Sequence, residues 1–328
     1  MLLIFRLFLT CVGPYLMTGA RATNDYPIHN INTSLNYTSI QDAINANETL
    51  DGHTIHVNAG TYSVIPVIVN KSVSLVGEGR DSTIIQGSIT SVAPIVYVSA
   101  NNVTVIGFSL RDGCIGILTG SNGANYTHIA NCTISGNEDG VYTGISESSC
   151  GGNIIEGNII LNNSRYGIHL QTSDDVVYNN TIANNHVGIH LIGMQNKTSG
   201  IAIWANIIEN NQYGCQIGWS ANNTVFHNNF INNTIQVSSP RDTSNWDNGY
   251  PSGGNYWSNY NGTDTNHDGI GDSPFLIDTN NTDHYPLMTP YIIPEFPSNL
   301  ILALFVLATL LVGIELRKQA LSRRSRHA

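Results

Sequence analysis

The feature that most constrains this chain is an internal repeat. Asn158-Ile-Ile-Leu-Asn-Asn, Asn180-Thr-Ile-Ala-Asn-Asn, Asn206-Ile-Ile-Glu-Asn-Asn and Asn229-Phe-Ile-Asn-Asn follow one another through its middle. Aligning the central apolar residue with upstream copies gives Leu110, Ile134, Ile160, Ile182, Ile208 and Ile231, at spacings of 22 to 26 residues. A unit that short cannot bury a core alone, so the units must stack, each forming one coil of a solenoid.

Each unit carries a second apolar stretch: Gly140-Val-Tyr-Thr, Gly167-Ile-His-Leu, Gly188-Ile-His-Leu and Gly214-Cys-Gln-Ile. Period-two alternation sends Ile168, Leu170, Ile189 and Leu191 inward and His169 and His190 outward. No 3.6-residue period appears, which excludes leucine-rich and helical repeats. The predicted fold is all-β, a right-handed parallel β-helix. Asn162, Asn184, Asn210 and Asn233 recur at the turns, where Asn adopts the left-handed conformation and can bond the coils above and below as a ladder. Upstream, Ile40, Ala43 and Ile44 share one helical face behind Ser39 as N-cap, which predicts a capping helix over the open end.

This opening, with the Asn-x-Ile-x-x-Asn and Gly-Ile-x-Leu coils from about residue 37 to 290, resembles the pectate-lyase-like β-helix superfamily, and more narrowly the NosD-type group with its carbohydrate-binding and sugar hydrolysis (CASH) domain. The resemblance implies the fold strongly and an activity weakly. NosD proper is a periplasmic accessory in copper-site maturation, and many relatives are surface proteins. A C-terminal anchor departs from that pattern and puts the maturation role in doubt.

Residues 1–22, apolar from Leu2 to Leu9 apart from Arg6 and ending Ala20-Arg21-Ala22, read as a secretory signal peptide. Residues 23–50 are then an N-terminal cap, 51–242 the β-helix, 243–290 a C-terminal cap and 291–298 a linker. Residues 299–316 are apolar enough for a transmembrane helix, about 27 Å long at 1.5 Å per residue. The basic tail 317–328 predicts a cytoplasmic C-terminus, with the bulk of the chain outside. Fourteen Asn-x-Ser/Thr sequons suit an exported chain. Between residues 23 and 299 there are 22 acidic and 6 basic residues, a surface that repels nucleic acid. Cys114, Cys132, Cys150 and Cys215 allow three disulfide pairings, although Cys215 occupies a core position of the repeat.

Four groups of residues are candidates for function. Trp246, Tyr256, Trp257 and Tyr260 offer flat faces for a polysaccharide or glycan, or else close the end of the solenoid. Asp264, Asn266, Asp268, Ile270 and Asp272 have the alternating oxygen spacing of an EF-hand-like Ca²⁺ loop, with Phe275 where a bidentate Glu belongs and Asp278 or Asp283 as replacements. His169 and His190, one coil apart at about 4.8 Å, can share a copper ion. Asp174, Asp175 and Arg165 are the weak catalytic candidates for a polysaccharide lyase or glycoside hydrolase. The reading that follows is a membrane-anchored surface protein for glycan binding or adhesion, with copper delivery and polysaccharide cleavage as alternatives.

Overall fold

The computed structural model describes residues 27–293, except 64–65, 121–123, 145–149, 194–197 and 240–242. The signal peptide, transmembrane helix and tail lie outside the described residues, among which no helix is long and apolar enough to cross a membrane. Each coil contributes three short strands to three different sheets, as with Ile154–Glu156, Ile159–Leu161 and Tyr166–Leu170. Stacking of coils builds a ten-stranded sheet A, a nine-stranded sheet B and an eight-stranded sheet C. The chain is a right-handed parallel β-solenoid of about eight turns. Among the described residues the only antiparallel pairs of these three sheets are those of Ile28–Asn30, with Leu35–Tyr37 on one side as a hairpin and with Thr54–Val57 of the first coil on the other.

Strands three residues long need abrupt corners. Single left-handed residues supply them: Asn131, Asn179 and Ala205 between sheets A and B, and Asn162, Asn184, Asn210 and Asn232 between B and C, all with φ of 47° to 56°. Asn tolerates this region better than any other residue except Gly. In the middle coils each strand of sheets A and B turns one apolar residue inward, and each strand of sheet C two. Leu110, Ile134, Ile160, Ile182, Ile208 and Phe230 make the inward row of sheet B, and all are fully buried. Phe230, not Ile231, therefore continues that row; Ile231 pairs with Glu209 in the outward row. The doubled Asn228-Asn229 hides the frame, because Asn228 is the corner asparagine and Asn229 already belongs to the strand.

The expected ladder exists, but its two properties fall on neighbouring residues. Asn162, Asn184, Asn210 and Asn232 take the left-handed conformation, while Asn163, Asn185, Asn211 and Asn233 make the ladder. Of the four positions predicted, only Asn233 is a rung. A second ladder at the A–B corner runs through Asn158, Asn180, Asn206, Asn228 and Asn255. Each rung repeats one arrangement. Asn206, for example, accepts from the backbone and side-chain amides of Asn180 at 3.0 Å each and donates to Asn228 Oδ1 at 2.9 Å and Val177 O at 2.9 Å. At the third corner, Asn153 donates its backbone and side-chain amides to Asp175 Oδ1.

Both ends are closed. The helix Ile40–Asn45 has Ser39 as its N-cap, with Asp42 N donating to Ser39 Oγ at 3.0 Å, and it buries Ile40, Ala43 and Ile44. At the other end Tyr256–Trp257 adds a last strand to sheet B, and Phe230, Trp257 and Phe275 stack in succession at 4.5 Å. Trp257 Nε1 and Asn255 N both donate to the buried Asp283, and Trp246 Nε1 to Asn281. Cys114, Cys132 and Cys215 are free, with Cys215 in the core.

Replacing Asn206 with Ala strands the amides of Asn180 and the carbonyl of Val177, at a cost of about 2–4 kcal/mol. Asn210→Gly, on the exposed left-handed position, should leave the melting temperature close to wild type. Thermal melts of both variants check the pair. Asp175 supplies a pH prediction. Burial pushes its carboxyl up to about 6, against the hydrogen bonds from Thr172, Asn153 and Thr143. A raised folded-state value means that the folded form holds the proton more tightly, so this contribution is present at low pH and is lost as pH rises through about 6. Moving from pH 7.5 to 5.0 should stabilise wild type relative to Asp175→Asn by about 1 kcal/mol, measured by denaturant unfolding at both pH values.

Candidate functional site

The repeat itself assembles the most distinctive cluster of side chains. Tyr142, His169, His190 and Gln216 occupy the same outward position in four successive strands of sheet C. The predicted inward partners Ile168, Leu170, Ile189 and Leu191 are fully buried, so the orientation follows the alternation. The imidazole centroids lie 4.7 Å apart. These rings face away from the core but are not free in solvent. Tyr142 stacks on His169 at 4.2 Å and Tyr166 on His190 at 4.4 Å, and His169 is only 6% exposed. Gln171 Nε2 lies 3.3 Å from His169 Nε2. The Nδ1 atoms of both histidines are buried and have no hydrogen-bond partner among the described residues.

Burial, then the neighbouring His190 and Arg165, holds His169 down to about 3; burial, then Arg165, holds His190 down to about 4. At neutral pH the pair is two uncharged imidazoles with unsatisfied nitrogens. The donor set suits copper or zinc. Among the described residues no three or more His, Cys, Asp or Glu side chains gather where a metal could sit, so an ion here would take its protein nitrogens from this pair alone.

Arg165 borders the cluster, with its guanidinium 5.0 Å from the centre of the Tyr166 ring. It pairs with the buried Asp139 through two hydrogen bonds, Nε to Oδ1 at 2.8 Å and Nη2 to Oδ2 at 2.5 Å, and reaches Glu138 at 3.3 Å. It does not meet Asp174 or Asp175. Arg165 precedes the strand Tyr166–Leu170 and the two acids follow it, and a five-residue strand spans roughly 17 Å. Asp175 is fully buried against Thr143, Thr172 and Asn153, while Asp174 is an exposed left-handed turn residue. The catalytic grouping expected from sequence is therefore not assembled.

The carbohydrate-binding expectation also needs correction. Trp246 and Trp257 are 0% and 1% exposed, so neither ring offers a face to a sugar; they form the floor of the cap. Tyr256 is half-buried, and the half-buried Tyr260 donates its hydroxyl to Ser273 O at 2.6 Å. The EF-hand-like loop uses its oxygens on its own backbone. Asp264 accepts from Asp268 N and Gly269 N, Asp268 from Ile270 N, Asn266 from Asp268 N, and Asp272 from Thr265 N. Asp278 and Asp283 do not complete it. Asp278 accepts from Asn280 and Asn281, and Asp283 is enclosed with Asn255 and Trp257. These bonds shape the loop, with its oxygens at alternate positions gathered around its own backbone amides.

Sequence reasoning missed a second outward row, on sheet A. Glu156, Tyr178, Trp204 and Phe226 follow one another in register, with the Tyr178 and Trp204 rings parallel to within 3° at 4.6 Å. His128 Nε2 lies 2.6 Å from Glu156 Oε1, and its hydrogen bond holds the carboxyl below its usual range. The signal was available, since each of the four stands two residues before a rung of the A–B ladder: Asn158, Asn180, Asn206 and Asn228.

Comparison with known proteins agrees with this architecture. Residues 23–262 match the family described as "Periplasmic copper-binding protein (NosD)". A cell surface glycoprotein of Methanothermus fervidus is 36% identical over 110 residues, which is 34% of this chain but only 17% of that protein's length. The A-module of a mannuronan C-5 epimerase from Azotobacter vinelandii superposes with a TM-score of 0.50 at 17% identity, over 67% of this chain and 72% of that one, a likeness of fold alone. An alginate lyase from Paenibacillus is similar with a TM-score of 0.40 at 14% identity, over 66% and 94% of the two chains. With the family match running through nearly the whole solenoid, the chain belongs to the NosD family.

Proposed function

We propose that this chain is an exported, surface-held β-helix protein that binds copper through His169 and His190. The observation that carries the reading is the pair of neutral imidazoles whose buried Nδ1 atoms have no partner among the described residues. A buried polar atom without a partner costs about 1–3 kcal/mol, and a bound metal would relieve two of them together. Because both rings are neutral at neutral pH, each keeps one N–H and one lone pair, and the tautomer with its proton on Nε2 leaves Nδ1 open to a metal. The family description names copper. Export is supported by the surface location in the name of the Methanothermus relative, and by a leading segment of signal-peptide character.

The test is a titration of the purified full-length chain with Cu²⁺, followed by dialysis and elemental analysis, with melting curves on the same samples. Wild type should retain one copper per chain. His169→Gln and His190→Gln should each bind at least tenfold more weakly while melting as folded proteins. Copper retained equally by both variants, or not at all by wild type, would sink the reading.

The sheet A row supports a second reading, glycan binding along the Glu156–Tyr178–Trp204–Phe226 face. Half-exposed aromatic rings beside a carboxylate and an imidazole can pack on sugar rings and bond their hydroxyls. Trp204→Ala should then abolish retention on an immobilised polysaccharide bound by wild type, and its melting temperature should move by only a few degrees. A panel of acidic and neutral polysaccharides, none of which retains wild type, would remove this reading.

A further inference from the structure

The chain contains 41 asparagines, and the fold divides them sharply. Among the described residues fifteen are buried, and none of these has Ser or Thr two residues on. Thirteen of the fourteen sequon asparagines are described residues, and none of the thirteen is buried. Six of them, Asn102, Asn131, Asn162, Asn179, Asn222 and Asn232, occupy left-handed corners with φ between 47° and 59°. Together they mark all three corners of the prism.

The contrast is sharpest between neighbours. Asn180 spends its side-chain amide on Ile155 O, Tyr178 O and Asn206 Oδ1, whereas the side chain of Asn179 makes no hydrogen bond among the described residues. The same holds for the side chains of the other five. The hydroxyl residues two positions on, Thr104, Thr133, Ser164, Thr181, Thr224 and Thr234, are all at least partly exposed at the start of the next strand or just before it. Each corner thus presents an unused amide, a left-handed turn and an accessible hydroxyl together.

We infer that these six corner asparagines are sites of N-linked glycosylation. The donor is a glycosyl diphosphate: Nδ2 bonds to the anomeric carbon, the bond from that carbon to the diphosphate oxygen breaks, and the proton lost from Nδ2 leaves with the diphosphate. The sites lie at corners, so attached glycans would line the three edges and leave the outward faces of sheets A and C bare. The fold provides its own controls. Asn184 and Asn210 share the exposed corner position and a φ of 55°, but His186 and Gln212 stand where the hydroxyl belongs.

The inference rests on the export proposed above, and one experiment separates the two. The full chain is isolated from the cells that make it, and its peptides are analysed by mass spectrometry. In parallel, intact cells are treated with protease to test surface exposure. Glycan mass is expected on the six asparagines and none on Asn184 or Asn210. Thr181→Val should remove the glycan from Asn179 alone and leave the melting temperature unchanged. Unmodified peptides from a chain that protease removes from intact cells would overturn the glycosylation and leave export standing; unmodified peptides from a protected chain would overturn both.

Discussion

The structure depends on side-chain amides that hydrogen-bond along the solenoid axis. A three-residue strand contributes little by itself, and the tight corners leave backbone N–H and C=O groups that the sheets do not reach. The ladders satisfy them. Each corner asparagine acts as acceptor for the coil before it and as donor to that coil's carbonyls, so no rung is independent of its neighbours. Amides can do this in a buried row because they are neutral and carry both functions. An acid in the same place is accepted only with extra donors, as Asp175 is with Thr143, Thr172 and Asn153. This requirement accounts for a composition rich in Asn and poor in charge.

The same stacking that builds the core also builds the outward rows. A residue type repeated at one position in consecutive coils is forced into register at the interstrand distance, whatever its chemistry. For His169 and His190 the result is two imidazoles packed between tyrosines, too desolvated to hold protons at neutral pH. For Tyr178 and Trp204 it is a flat stack beside a carboxylate. The fold thus makes ligand-like arrays from short repeats, and the chemistry of each array depends only on what the repeat places outward.

The period, the inward aliphatic rows, the outward histidines and the N-terminal helix were all legible in sequence, because each rests on local alternation or capping. What failed did so where two roles compete for one residue type. Adjacent asparagines such as Asn162 and Asn163 are alike in sequence, and only the backbone reveals which one turns and which one bonds. Trp246 and Trp257 looked like binding residues because aromatic density marks either a platform or a plug; burial separates the two. The spacing of Asp264, Asn266 and Asp268 suits a cation loop, and the fold adds that the same oxygens hold the loop's own amides. Arg165 and Asp175 are close in sequence, but a strand lies between them.

The ends of the solenoid have a consequence of their own. A parallel coil exposes the same row of backbone donors and acceptors at either end, in a register that any other coil of this chain would match. Left open, such an edge is a template for adding further chains. The antiparallel hairpin and helix at one end, and the Trp257 strand locked to Asp283 at the other, present backbone that no coil can extend. These caps therefore set where the polymer of coils stops, and keep a molecule built like a filament subunit from becoming one.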